Sequence, residues 1–126
     1  MEIMAKIIVI DDEEMIRSIA ERILKKGGHE VLTAENGRTG IEKFNAQVDQ
    51  IDIVICDINM DDLSGFDVLR EIRKSNRDIP GIVSSGNPYN PDDVPKEINE
   101  HIYFLQKPYR ASQLTELIQS ILVPQS

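Results

Sequence analysis

Residues 6–28 read KIIVIDDEEMIRSIAERILKKGG, and the fold turns on how this stretch changes its hydrophobic period. Lys6–Ile10 is a short β-branched run, the signature of a strand buried on both faces. Glu14–Lys26 instead places Ile16, Ile19, Ala20, Ile23 and Leu24 at helical spacing, which predicts an amphipathic helix stopped by Gly27-Gly28. Between them stands the acidic run Asp11-Asp12-Glu13-Glu14.

The same alternation continues along the chain. Glu30–Ala34 predicts a second strand, Gly37–Ala46 a helix with Ile41 and Phe44 inward, and Ile51–Cys56 a third, strongly apolar strand. Ser64–Ser75 reads as a helix with Ser64 at its N-cap and Phe66, Val68, Leu69 and Ile72 on its apolar positions. Ile79–Ser84 and Ile102–Leu105 are the fourth and fifth strands, and Ala111–Leu122 the last helix. Between Asn87 and His101 the alternation calls for another helix, but Pro88, Pro91 and Pro95 permit at most a short or irregular one, beginning at Pro91 or later. Five strands alternating with about five helices predict an α/β fold, a doubly wound parallel sheet covered on both faces. Strand order cannot be read from periodicity.

The chain has 126 residues, the length of one domain, with 40% hydrophobic and 29% charged residues, a globular balance. Its 22 acidic and 14 basic residues give a formal net charge of −8. That argues against direct nucleic-acid binding, which needs many Lys or Arg contacts to phosphate. Cys56 is the only cysteine. It excludes an intramolecular disulfide and a thiolate cluster, and its apolar surroundings predict a buried, inert thiol. No signal peptide and no apolar run of membrane-spanning length is legible, so the cytoplasm is the expected location. His29 and His101 lie near predicted element ends, and both are expected at the surface.

In a doubly wound sheet, ligands bind beyond the carboxyl ends of the strands. Strand one ends in Asp11-Asp12-Glu13-Glu14, strand three in Asp57, strand four in Ser84-Ser85-Gly86, and strand five is followed by Lys107-Pro108. Taken singly, each has an ordinary reading: a helix cap for the paired aspartates, a turn residue for Asp57, a structural serine, a Lys-Pro turn. Taken together, they bring three carboxylates, a hydroxyl and an ammonium to one sheet edge. Three carboxylates repel one another unless a cation joins them, and oxygen donors without His or Cys point to Mg²⁺. Mg²⁺ often binds beside phosphate, Lys107 adds positive charge, Ser85 offers a hydroxyl, and a carboxylate can itself be the nucleophile. The set suits phosphoryl transfer onto an aspartate.

With those residues in hand, the chain resembles the receiver domains of bacterial response regulators in two-component signalling, including the single-domain chemotaxis type. The resemblance spans roughly Lys6 to Leu122 and treats residues 1–126 as a single receiver domain. It rests on Ile8-Val9-Ile10-Asp11-Asp12-Glu13, on Asp57-Ile58-Asn59-Met60 with Gly65 beyond, on Ser85-Gly86 after Pro80, and on Lys107-Pro108-Tyr109. It implies a flavodoxin-like sheet of order 2-1-3-4-5. It implies Asp57 as phosphoacceptor, and Mg²⁺ held by Asp12 directly, by Asp11 mainly through water, by Asp57, and by the backbone carbonyl of Asn59. Ser85-Gly86 and Lys107 would meet the phosphate, Pro108 would follow a cis bond, and Phe104 would be the aromatic that turns inward on activation. The implied partners are a sensor histidine kinase or histidine phosphotransfer protein as donor and a downstream effector protein, with no nucleic acid and no membrane. The chemistry would be that of a phosphorylated signalling domain, self-catalysed transfer and autodephosphorylation, rather than of an enzyme.

Three features depart from the family pattern. Asp61 stands where proline usually follows the Met. Phe104 lacks the hydroxyl of the tyrosine often found at its position. The proline-rich stretch falls on the fourth helix, part of the usual output face, which leaves dimerisation through that face open. Met15, Ile16 and Ile19 cannot all point inward, so some are expected as exposed apolar contacts for a kinase. The ends of the chain favour a stand-alone regulator over a receiver excised from a hybrid kinase or larger regulator. The competing readings are a pseudo-receiver used only for interaction, a Mg²⁺-dependent aspartyl-nucleophile phosphatase, which wants a second acid where Asn59 stands, and a flavodoxin-like cofactor binder, whose phosphate the acidic run would repel.

Overall fold

The computed structural model describes residues 4–123. In chain order it contains β1 (Lys6–Ile10), α1 (Glu14–Lys26), β2 (Glu30–Ala34), α2 (Gly37–Ala46), β3 (Ile53–Asp57), α3 (Gly65–Ser75), β4 (Gly81–Ser85), β5 (Ile102–Gln106) and α4 (Ala111–Leu122). The five strands form one parallel sheet of order β2-β1-β3-β4-β5.

Strand alternation sorts the core into two layers. Ile8, Ile10, Val54, Cys56 and Val83 point toward Phe44 of α2 and Val68, Leu69 and Ile72 of α3. Ile7, Val9, Ile53, Ile55 and Ile82 point the other way, onto Ala20 and Leu24 of α1 and Leu114 and Ile118 of α4. Every residue of β3 and β4 is buried, and β3 accordingly reads as a strongly apolar run. Burying each Ile side chain fully contributes about 2–3 kcal/mol.

The five predicted strands and the four helices predicted outside 87–101 are present, with ends moved at three strands. β3 starts two residues later than expected because Asp52 faces outward, its carboxylate accepting from the Lys6 amide at 2.9 Å. The register then pairs Ile7 with Ile53, and the strand runs on through Asp57. β4 starts at Gly81 rather than Ile79, and β4 and β5 likewise extend to Ser85 and Gln106.

The expectation of about five helices is corrected. Four α-helices are present among the described residues, and the segment 87–101 holds two 3-10 turns, Pro91–Asp93 and Lys96–Ile98. Pro91 suits a first turn because its missing N–H would be unpaired anyway. Pro95 then offers no N–H and keeps Val94 extended, so no helix can propagate. Arg73 takes over the work of fastening this segment. Its guanidinium donates to the carbonyls of Ile98 at 2.8 Å, Ile79 at 2.9 Å and His101 at 3.1 Å. Burial pulls the Arg73 pKa down, against the opposing charges of Asp78 and Glu100.

The exposed apolar residues expected on α1 are Met15, 74% exposed, and Ile19, 39%, while Ile16 is half-buried. One further expectation changes. His29 is buried rather than at the surface: its Nδ1 accepts from the Ala5 amide at 3.0 Å and ties the start of β1 to the turn before β2. His101 is exposed, as expected, with a left-handed backbone at φ 56°. Gly28, at φ 92°, makes the turn after α1 where a side chain would be strained.

Candidate functional site

The order β2-β1-β3-β4-β5 places a switch point between β1 and β3, since the chain runs outward from β1 on one side and from β3 on the other. Asp11 follows β1 and Asp57 closes β3, so the two aspartates meet there. Asp11 is 3% exposed and Asp57 4%. Asp11 Oδ1 accepts from the Glu13 amide at 2.9 Å, and Arg17 donates to the Asp11 carbonyl at 2.7 Å, which fixes the acidic turn. Carboxylate oxygens of Asp11, Asp12, Glu13 and Asp57 lie within 4.8 Å of one another.

Lys107 enters this cluster from the end of β5. Its backbone N–H donates to the Ser85 carbonyl at 2.8 Å, and the Lys107-Pro108 bond is cis. Its ammonium stands 2.9 Å from Asp11 Oδ2, 3.0 Å from Glu13 Oε1 and 3.3 Å from Asp57 Oδ2. Burial alone would lower the Lys107 pKa. Hydrogen bonds to Asp11 and Glu13, with the charges of Asp11 and Asp57, instead hold it well above its ordinary value. Burial raises the Asp57 pKa, and the Asp11 charge adds to that. The Asn59 N–H, donated to Asp57 Oδ1 at 3.1 Å, and Lys107 oppose it without cancelling it.

The sign of the Asp57 shift makes a prediction. A carboxyl whose pKa is raised on folding loses stability as pH rises from its unfolded pKa through its folded one, and the loss persists above. Asp57→Asn therefore unfolds at higher urea than wild type in metal-free buffer at about pH 7, and the gain shrinks at about pH 4. Paired urea melts at the two pH values check this, and a gain that grows on acidification would contradict it.

Ser85 is buried, and its Oγ accepts from Asn59 Nδ2 at 3.1 Å and from the Asn87 N–H at 3.0 Å. Gly86 is exposed, and a Cβ there would meet nothing within 4 Å, so its place at the site is not sterically enforced. Gly65 is enforced: a Cβ would stand 2.6 Å from the Asp57 carbonyl oxygen. Phe104 lies outside the carboxylate cluster. It stacks on Tyr89 with centroids 4.7 Å apart and, with Ser85 and Asn59, lines a cavity of about 140 Å³.

Several residues of the site were not singled out in the sequence. Glu13 was read only as part of the acidic run, yet it reaches Lys107. Gln106 donates to the carbonyls of Gly86 at 2.8 Å and Ser85 at 3.3 Å. Tyr109 is pushed up to about 12 by burial and the Asp11 charge. Asp62 joins the β3–α3 loop to α2 by accepting from the N–H groups of Gly37 at 3.0 Å and Arg38 at 2.9 Å. These bonds hold its carboxyl below the usual range despite some burial. Glutamate is a poor N-cap, so Glu13 at the start of α1 was the one legible signal. The other three depend on contacts across the fold. Asp62→Ala should cost about 1 kcal/mol in a urea melt, the scale of a lost helix cap; an unchanged midpoint would contradict the cap.

The donor set fits Mg²⁺: clustered carboxylates, neither Cys nor His among them, and an ammonium alongside. Among the described residues no helix is long and apolar enough to cross a membrane. Cys56 is fully buried, and burial pushes its thiol well above the ordinary value.

Comparison with known proteins gives the same frame. The response regulator receiver domain model matches residues 7–119. The sensor kinase CckA of Brucella abortus is 30% identical over 123 residues, covering 96% of this chain and 13% of its own. The chain spans half or less of the length of curated relatives such as this one. A response regulator receiver domain protein from Clostridium thermocellum superposes with TM-score 0.82 at 37% identity, covering 94% of both chains. The Thermotoga maritima response regulator protein TrrA, in complex with Mg(2+)-BeF, gives 0.81 at 31%, covering 94% of this chain and 99% of its own. The chain belongs to the response regulator receiver domain family of two-component systems.

Proposed function

We propose that residues 1–126 act as one receiver unit in which Asp57 takes a phosphoryl group from a phosphohistidine and thereby switches protein–protein contacts. The observation that carries this is the buried Asp57 carboxylate, 3.3 Å from the Lys107 ammonium and grouped with Asp11, Asp12 and Glu13 at the ends of β1 and β3. An Asp57 oxygen bonds to phosphorus as the phosphorus–nitrogen bond to the donor imidazole breaks, the electron pair staying on the imidazole. A sensor histidine kinase or a histidine phosphotransfer protein is the donor this chemistry calls for, and an effector protein reads the result.

Asp11, Asp12, Asp57 and the Asn59 carbonyl would hold Mg²⁺, which when bound supplies the charge that draws phosphoryl oxygens into an acidic site. The chain's own groups do the rest. Lys107 neutralises charge on the phosphoryl group. Both hydrogen bonds at the Ser85 hydroxyl use Oγ as acceptor, so its own proton is what it offers to a phosphate oxygen. Drawing Ser85 toward phosphate loosens its hold on Asn87 and opens the wall of the cavity beside Phe104, and the stacked pair Phe104 and Tyr89 carries that change to the surface. Asn59 stands where an aspartyl-nucleophile phosphatase wants its second acid, and its N–H instead binds Asp57. The intact set of Asp57, Lys107 and Ser85 favours a working receiver over a pseudo-receiver. The self-catalysed chemistry is then limited to phosphoryl uptake and loss, with no turnover of a separate substrate.

Incubation with acetyl phosphate and Mg²⁺, read by intact mass, tests this. Wild type gains one phosphoryl group and loses the gain in EDTA, and Asp57→Asn gains none. An adduct of equal size on Asp57→Asn would contradict the assignment.

A further inference from the structure

We infer that Glu13 governs how readily Asp57 accepts a phosphoryl group, by occupying the donor on Lys107 that an incoming phosphoryl oxygen must take. The inference rests on the function proposed above. An ammonium has three N–H donors and no acceptor. The Lys107 ammonium faces three carboxylate oxygens, from Asp11 at 2.9 Å, Glu13 at 3.0 Å and Asp57 at 3.3 Å, one for each donor. An incoming phosphoryl group brings oxygens of its own while Asp57 is still a carboxylate, so one carboxylate has to yield before the bond to phosphorus forms.

The burial of the three decides which. The side chains of Asp11 and Asp57 are each 4% exposed, and releasing either from Lys107 strands a charge away from water. The Glu13 side chain is 60% exposed, so water replaces the ammonium at little cost. Glu13 is the partner that leaves. It also lines the open cleft above Asp57 together with Asn59, Gly86 and Lys107, so its charge stands on the path of an anionic donor.

The start of α1 supplies a second, independent observation. Glu13 occupies the N-cap but makes no side-chain cap, where Ser, Thr, Asn or Asp would accept from a helix N–H. Its carboxylate turns from the helix to Lys107. A helix end that forgoes its cap for a contact in the site marks a residue placed for the site. The same carboxylate belongs to the group within 4.8 Å that attracts a divalent cation. Removing its charge therefore acts in opposite senses: cation binding weakens, and phosphoryl entry eases.

Labelling by acetyl phosphate separates the two. In that step an Asp57 oxygen bonds to phosphorus, the phosphorus–oxygen bond to the acetyl group breaks, and acetate leaves with the electron pair. Wild type, Glu13→Gln and Glu13→Ser are compared by intact-mass time courses at saturating Mg²⁺, with Mg²⁺ affinity from calorimetry and thermal midpoints from circular dichroism. Both variants should label about threefold to tenfold faster and bind Mg²⁺ about threefold to tenfold more weakly, with the rate gain shrinking at high salt. Glu13→Ser should also melt higher than Glu13→Gln, because a serine hydroxyl caps α1; this keeps the test open if one variant folds poorly. Equal or slower labelling of both variants at saturating Mg²⁺, with wild type labelling normally, overturns the role of Glu13 alone. Absence of labelling in wild type overturns the proposed function and this inference with it.

Discussion

Lys107→Ala is expected to slow phosphoryl transfer to Asp57 by about 10²–10³-fold, the loss typical when one preorganised donor to developing charge is removed. The side chain is 9% exposed and stands within 3.3 Å of Asp11, Glu13 and Asp57, and among the described residues no other cation pairs with Asp11 or Asp57. The substitution also leaves Asp11 and Asp57 buried without their cation. The metal-free variant is therefore less stable than wild type, and Mg²⁺ raises its melting temperature more than it raises that of wild type. Intact-mass time courses with acetyl phosphate and melts with and without Mg²⁺ measure both effects. Lys107→Arg should recover only part of the rate, because a planar fork cannot replace a point charge shared among three carboxylates. A rate for Lys107→Ala within twofold of wild type would show that Lys107 does not meet the phosphoryl group.

Arg73→Ala is expected to cost about 3–5 kcal/mol of folding stability, a large share of the roughly 5–15 kcal/mol that holds a domain of this size. Its guanidinium serves the carbonyls of Ile79, Ile98 and His101, and truncation leaves all three without that donor. The segment 87–101 has no α-helix of its own, so it depends on this clamp more than a helical connection would. Urea unfolding gives the loss, and limited proteolysis should cut the variant first within that segment. A loss under about 1 kcal/mol, the worth of an ordinary hydrogen bond, would mean that water serves those carbonyls equally well.

Most of the architecture was legible because α1, α2, α4, β1 and β2 change period sharply at their ends, and Ser64 marks the start of α3, accepting from the Asp67 N–H at 3.1 Å. The strand order was not legible, since periodicity says which residues are buried and nothing about which strand lies beside which. The acidic run, Asp57, Ser85 and Lys107 were legible because each stands at a strand end where ligands bind in such sheets. What stayed hidden were links between distant segments. Asp62 reaches α2, Gln106 reaches the Gly86 carbonyl, and Arg73 reaches His101, none with a spacing that reveals it. His29 looked like a surface histidine because its partner, the Ala5 amide, lies 24 residues away. The three prolines correctly argued against a normal fourth helix, but the stacking of Tyr89 on Phe104 that accompanies its loss needed the structure.

The central claim is that Asp57, among several carboxylates crowded at one sheet edge, is the one that bears the phosphoryl group. Borohydride reduces an acyl phosphate to the alcohol, turning a phosphorylated aspartate into homoserine. Treating the Mg²⁺ and acetyl phosphate reaction with borohydride and sequencing the peptides by mass spectrometry therefore reads out the acceptor directly. The account predicts homoserine at position 57 and nowhere else, and none when Mg²⁺ is chelated. Homoserine at position 11 or 12, the five-carbon alcohol 2-amino-5-hydroxypentanoic acid at position 13, or no reduction product in wild type with Mg²⁺ present, would contradict it.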